Sequence, residues 1–106
     1  MTKPNVIDSI RQTAASVLPK GSRLYLYGSQ ARGDSNEDSD WDLLILTDDT
    51  VSRKEKEDIE FAFVQRGWDI NEDISARAYS RTQWYDSPHT MFYFNVEEDK
   101  KLLYES

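Results

Sequence analysis

Two aspartates, Asp40 and Asp42, stand one residue apart at the start of an apolar run, residues 41–46. If this run is a β-strand, residues two apart point to the same face, so the two carboxylates lie side by side. Like charges at that spacing raise one another's pKa and cost stability unless a cation lies between them. Hard divalent cations with oxygen ligands, Mg²⁺ or Mn²⁺, meet that need. The alternative is a solvated strand start without a metal.

Gly28 and Ser29 follow a second β-rich run, residues 23–27, and precede a helix-compatible segment, residues 30–32. Because glycine has no Cβ, Gly28 lets the backbone approach a ligand closely. Ser29 would present its hydroxyl and N–H at the start of a helix, where phosphate oxygens are bound favourably. The alternative is a plain Gly-Ser turn in which Ser29 caps the helix. Neither feature is decisive alone, so the two are weighed together.

Helices and strands must position these residues. A first helix is predicted by apolar residues at helical spacing, stopped by the break at residues 19–21: Val6, Ile10, Ala14, Val17 and Leu18. Residues 23–27 and 41–46 are predicted strands, joined by a loop with one helical turn. Ser52 and Glu55 have the spacing of a capping box, which predicts a helix over residues 53–66 with Gly67 as its C-terminal cap.

The second half of the chain continues this alternation. Residues 68–79 alternate between apolar and polar positions, which predicts a third strand with one polar face. Ser80 and Gln83 form another capping-box pattern that opens a short helix, and Ser87-Pro88 is predicted to begin a further helix through about Glu98. Residues 102–104 are predicted to form the closing strand. The pattern predicts one α/β (α+β) domain over residues 1–106, a small mixed β-sheet flanked by helices.

The composition argues against several functions. With 20 acidic and 13 basic residues the formal charge is −7, which opposes attraction to a nucleic-acid backbone. The chain has no cysteine, so thiolate metal sites and cysteine nucleophiles are excluded. It has one histidine, which is too few for most histidine-based metal sites. No apolar run approaches the roughly 20 residues that span a bilayer, and the N-terminus lacks an apolar signal segment. We therefore expect a cytoplasmic protein without membrane or nucleic-acid partners.

The stretch GSQARGDSNEDSDWDLLIL, residues 28–46, resembles the signature of the DNA polymerase beta-like nucleotidyltransferase superfamily. In that signature a Gly-Ser pair is followed, after about ten residues, by Asp-x-Asp entering an apolar strand. Residues 31–33 (ARG) and 39–43 (SDWDL) are especially similar to the minimal nucleotidyltransferases of prokaryotes, the MNT type. The resemblance covers nearly the whole chain. It implies a nucleotidyltransferase fold, two Mg²⁺ ions, and transfer of a nucleoside monophosphate from an NTP to a hydroxyl, with loss of pyrophosphate.

The resemblance also implies roles for individual residues. Asp40 and Asp42 would be catalytic and hold the metal ions, since metals between carboxylates neutralise charge on the phosphate oxygens. Gly28 and Ser29 would hold the β- and γ-phosphates of the nucleotide. Arg32 either adds positive charge at the phosphates or pins the acidic loop, and the sequence leaves both alternatives open.

A third carboxylate is expected in catalytic members of this family, on an adjacent strand, where it helps bind the catalytic metal and orients the attacking hydroxyl. Asp73 is our candidate for both roles because it lies on the polar face of the predicted third strand. The spacing to the following Tyr79-Ser80 equally allows Ser75 at that position, which puts catalysis in doubt. A further alternative is that Asp73 is a solvated residue paired with Arg77.

Partners follow from the same resemblance. Larger relatives use a second domain to hold the base and the acceptor, so a homodimer or a partner chain should complete the site here. The minimal group resembles antitoxin halves of two-gene modules whose partner is a helical HEPN-type protein, and some modify that partner's tyrosines with AMP. We therefore predict a Mg²⁺- or Mn²⁺-dependent nucleotidyltransferase that uses an NTP, ATP by expectation, and a protein or small-molecule acceptor. The alternative is an inactive antitoxin module of the same fold that binds nucleotide or a partner.

Overall fold

The computed structural model describes residues 2–36 and 39–106, so Glu37 and Asp38 of the predicted acidic loop lie outside the described residues. In chain order, the elements of the described part are α1 (Lys3–Val17), β1 (Arg23–Tyr27), α2 (Ser29–Arg32), β2 (Trp41–Thr47), α3 (Arg53–Asp69), β3 (Ile74–Ser80), α4 (Arg81–Asp86), α5 (Met91–Asp99) and β4 (Lys101–Glu105).

The strands form a single mixed sheet in the order β3-β2-β1-β4. β1 pairs antiparallel with β2 and with β4, whereas β2 and β3 are parallel. The β2–β3 pairing is extended at its start by the Trp41 N–H, which donates to the Asp73 carbonyl at 2.8 Å. The predicted mixed sheet flanked by helices is therefore confirmed.

Apolar residues on both faces of β2 give the sheet two buried layers. Leu43 and Ile45 face the layer that α1 and α3 cover, together with Ile10 and Phe63. Leu44 and Leu46 face the opposite layer, which is formed with the following residues of β1, α4 and α5: Tyr25, Tyr27, Trp84 and Val96. Because side chains alternate along a strand, Asp42 shares the face of Leu44, the one that α4 and α5 cover.

Local signals placed most helix starts correctly. The Ser52 hydroxyl accepts from the Glu55 N–H at 3.1 Å and the Ser80 hydroxyl accepts from the Gln83 N–H at 3.2 Å, so both predicted capping boxes are confirmed. The predicted start of α5 at Ser87-Pro88 is wrong. The Thr90 side chain caps this helix by accepting from the Tyr93 N–H, and the helix begins at Met91.

The prediction that Gly67 ends α3 is also wrong. The helix runs on to Asp69, and Gly67 lies buried inside it. A Cβ on Gly67 would lie 2.6 Å from the carbonyl oxygen of Glu72 and 3.1 Å from a side-chain atom of Ile74. The glycine therefore lets the helix pack against the chain that returns into β3. The predicted start of β3 at residue 68 is wrong as well, because residues 68 and 69 still belong to α3 and the strand begins at Ile74.

No helix within residues 2–36 and 39–106 has the length and apolar character needed to cross a membrane.

Candidate active site

The candidate site is built where β1 ends and β2 begins. Tyr27, the last residue of β1, is the register partner of Asp42 in the antiparallel pair. Gly28 follows with φ 75° and ψ −157°, a backbone conformation that is essentially restricted to glycine. A Cβ added to Gly28 would lie 2.5 Å from Oδ2 of Asp42. The absence of a side chain at Gly28 therefore leaves the space that the Asp42 carboxylate occupies.

Ser29 begins the short helix α2 directly beside this contact. The Gly28 carbonyl closes the turn by accepting from the N–H groups of Ala31 and Arg32, both at 3.0 Å. The Ser29 hydroxyl is half-buried and forms no hydrogen bond with the described residues. The structure thus brings Gly28 against the Asp42 carboxylate, with Ser29 as the next residue at the start of α2.

The surroundings of Asp42 disfavour the negatively charged form of its carboxyl group. Burial raises the pKa of its carboxyl above the ordinary value and neighbouring Asp40 raises it further, while Arg77 and Arg32 act in the opposite direction. Asp40 itself is exposed at the mouth of the site. Two adjacent carboxylates, one of them half-buried, are the donor set that a hard divalent cation prefers. The chemistry of this donor set therefore fits a hard divalent cation.

Arg32 lies at the end of α2 and forms two ion pairs. Its Nε is 3.1 Å from Oδ2 of Asp34 in the acidic loop, and its Nη1 is 2.8 Å from Oδ2 of Asp99, the last residue of α5. Asp99 keeps only 17% of its side chain exposed, so this second pair is the better shielded of the two. The contacts favour the alternative in which Arg32 pins the acidic loop and ties it to α5.

The third position of the site is determined by the parallel pairing of β2 with β3. Ser75 is the register partner of Asp42, and Ile74 is the partner of Trp41. Asp73 precedes the strand, is exposed, and uses its backbone carbonyl to accept from Trp41. In the described part of the chain, no group of three or more His, Cys, Asp or Glu side chains is placed to hold a metal ion. The assignment of Asp73 as third carboxylate stays a prediction.

Sequence reasoning did not place Arg77 in the site. Arg77 follows Ser75 on the same face of β3, and its Cζ lies 4.9 Å from the centre of the Phe92 ring in α5. The Tyr79 hydroxyl, and less strongly that of Tyr27, raises the pKa of Arg77 above its ordinary value. The polar face of the alternating pattern already contained Arg77, and that signal could have placed it beside the aspartates.

Solved structures with this fold include chains of toxin–antitoxin systems and a chain described as a "putative nucleotidyltransferase". One chain of a toxin–antitoxin crystallised with AMP-PNP matches with a TM-score of 0.67 at 20% identity, over 94% of this chain and 73% of that one. A complex of a tri-AMPylated HEPN toxin with an MNT antitoxin from Shewanella oneidensis gives 0.64 at 17% identity, over 99% and 74%. A nucleotidyltransferase structure from Sulfolobus solfataricus gives 0.63 at 17% identity, over 96% and 82%. At these identities the matches show a shared fold.

Sequence comparison adds a relative and a family. A protein of Methanocaldococcus jannaschii named "Putative protein adenylyltransferase" is 40% identical over 55 residues, which are 51% of this chain and 56% of that protein. The chain therefore spans little more than half the length of this curated relative. The family model described as nucleotidyltransferase domain matches residues 7–102, which include both aspartates, the Gly-Ser pair and all of β3. The chain belongs to the nucleotidyltransferase domain family.

Proposed function

We propose that this chain is a Mg²⁺-dependent nucleotidyltransferase that transfers AMP from ATP to a hydroxyl of an acceptor, foremost a protein. The observation that carries the proposal is the junction of β1 and β2, where the Asp42 carboxylate lies against Gly28 with Asp40 and Ser29 as neighbours. Phosphoryl-type transfer needs little covalent chemistry from the protein and depends on positioning and on charge neutralisation. The carboxylate pair would hold a divalent cation that neutralises charge, and the Ser29 hydroxyl would position a phosphate oxygen.

Each residue of the site has a proposed task. Asp40 and Asp42 hold the divalent cation, which neutralises charge on the phosphate oxygens when bound. The Ser29 hydroxyl and the backbone at Gly28 hold the β- and γ-phosphates and so orient the α-phosphorus. The acceptor oxygen then bonds to the α-phosphorus, the bond from the α-phosphorus to its bridging oxygen breaks, and pyrophosphate leaves. Asp73 is the proposed group that orients the acceptor hydroxyl and receives its proton.

We further propose that the acceptor is a helical HEPN-type partner and that this chain is the antitoxin half of the pair. The fold match to one chain of the complex with a tri-AMPylated HEPN toxin supports this proposal, as does the adenylyltransferase name of the M. jannaschii relative. The partner, or a second copy of this chain, would complete a site that is open around Asp40. The cytoplasm, which supplies ATP and Mg²⁺, is the proposed compartment.

The Asp42→Asn variant tests the proposed chemistry. It keeps the shape of the side chain beside Gly28 but removes the negative charge, so transfer of label from α-labelled ATP to the partner should fall by about 100-fold or more. Asp8→Asn, on the exposed face of α1, makes the same change in net charge away from the site and should keep full activity. Transfer at the unmodified rate by Asp42→Asn would exclude the assigned site.

A second function is favoured by one observation, the presence of Ser75 beside Asp42 where catalytic relatives are expected to carry a carboxylate. In that case the chain binds nucleotide or its partner without transferring AMP. ATP with Mg²⁺ would then raise the melting temperature, since a ligand that binds the native state stabilises it, but no label would reach the partner. A purely structural domain would show neither effect.

A further inference from the structure

Arg77 brings positive charge to the edge of the candidate site. It lies on β3 on the same face as Ser75, the register partner of Asp42, and its own register partner is Leu44, the next β2 residue on that face. Its positive charge also lowers the pKa of the Asp42 carboxyl, against the effect of burial. β3 thus places the neutral Ser75 hydroxyl, and then the positively charged Arg77, on the face that carries Asp42.

The guanidinium is held in place by an aromatic ring, and the described residues give it no acidic partner. Its Cζ is 4.9 Å from the Phe92 ring centre, a cation–π arrangement, and Phe92 packs edge-on against Tyr27 with ring centres 5.9 Å apart. Among the residues that the structure describes, no carboxylate lies within ion-pair distance of Arg77, whereas Arg32 at the other side of the site has two. The Arg77 residue is exposed as a whole, and the Tyr79 and Tyr27 hydroxyls engage part of its donor set.

We propose that Arg77 binds the phosphate chain of the nucleoside triphosphate in this site. The inference rests on the proposed function, because it requires that a nucleotide binds beside Asp40 and Asp42. Those two carboxylates and a triphosphate are all anionic, and Ser75 contributes no charge. A guanidinium donates two parallel hydrogen bonds to phosphate oxygens and therefore binds them with both charge and direction. A cation held by Asp40 and Asp42 balances only part of the negative charge of the carboxylates and the triphosphate. The positive charge of Arg77 compensates for part of the remainder.

Preorganisation strengthens the argument. A free arginine loses rotamer entropy when it binds a ligand, whereas Arg77 already rests on the Phe92 ring between Tyr27 and Tyr79. The contribution of Arg77 to the affinity should increase with the number of phosphates on the ligand. It should be absent for adenosine, which carries none.

The test is calorimetric titration of the folded chain with ATP, ADP and adenosine, with Mg²⁺ and again with EDTA. Arg77→Gln should weaken ATP binding by about 10- to 100-fold, weaken ADP binding less, and leave adenosine unchanged. Arg77→Lys, which keeps the charge but loses the planar fork, should lose several-fold. Arg53→Gln on the exposed side of α3 makes the same change in net charge and should bind like the unmodified chain. Melting temperatures without ligand verify that each variant is folded.

The outcomes separate the two proposals. If the unmodified chain binds ATP and Arg77→Gln binds it equally well, the role of Arg77 is overturned while the proposed function stands. Equal losses for ATP and adenosine also overturn it, because they indicate that Arg77 acts only through the packing of α5. If the unmodified chain binds no nucleotide under either condition, both proposals fall.

Discussion

The Gly28→Ala variant measures whether the Asp42 carboxylate lies against the end of β1. The backbone at Gly28, with φ 75° and ψ −157°, costs a residue with a side chain about 1–3 kcal/mol. The new Cβ would also lie 2.5 Å from Oδ2 of Asp42. Because that oxygen ends a flexible side chain, it can rotate away at about 1 kcal/mol, the cost of an off-rotamer angle. The free energy of unfolding should therefore fall by about 2–4 kcal/mol.

Two further variants separate backbone strain from the collision. Gly33→Ala also has a positive φ, 84°, but its Cβ meets no atom within 4 Å, so it should lose only the left-handed strain of about 1–2 kcal/mol. In an Asp42→Ala background the collision disappears, and Gly28→Ala should cost about 1 kcal/mol less than in the native chain. Urea unfolding gives all of these values. If Gly28→Ala costs the same with and without the Asp42 carboxylate, the proposed contact is refuted.

Two other substitutions test the elements that bring β3 to the site. Gly67→Ala should reduce the free energy of unfolding by about 1–3 kcal/mol in urea titrations, because its Cβ would lie 2.6 Å from the Glu72 carbonyl oxygen, a backbone atom that cannot rotate away; a stabilised variant would contradict the packing of α3. Ser75→Asp should place a third carboxylate beside Asp42 and so tighten Mn²⁺ binding in calorimetric titrations, and unchanged affinity would show that Ser75 does not face the cation site.

The elements that could be predicted from sequence are those whose signals are local. Residues 23–27 are a β-rich run and form β1 with the expected bounds, and the capping boxes at Ser52 and Ser80 begin α3 and α4. A capping box needs only a hydroxyl and a glutamate or glutamine three residues later, so its evidence lies within one turn of chain. The Gly-Ser pair and Asp-x-Asp are equally local, and they come together because β1 and β2 are consecutive antiparallel neighbours.

The errors arose where two local signals compete, or where a packing contact overrides one of them. Gly67 has the residue type of a helix cap, but its missing side chain is required for contact with Glu72 and Ile74, and the helix continues past it. Ser87-Pro88 is typical of a helix start, yet Thr90 three residues later provides the cap. Ile70 fits the apolar face of an extended strand and is also the C-terminal cap residue of α3. Its hydrophobicity therefore does not distinguish a strand from the end of a helix.

The position at which β3 begins also decides which residue of β3 pairs with Asp42. Asp73 and Ser75 are two residues apart and alternate to the same side, so the strand pattern cannot say which of them meets Asp42. The choice depends on where β3 enters the sheet, and that depends on the length of α3. Because α3 continues through Gly67 and the chain then turns at Asn71 with φ 58°, the strand begins with Ile74 opposite Trp41 and Ser75 opposite Asp42. This register pairs the Ser75 hydroxyl with Asp42 and brings Arg77 to the same face, while the role of Asp73 as third carboxylate stays a prediction.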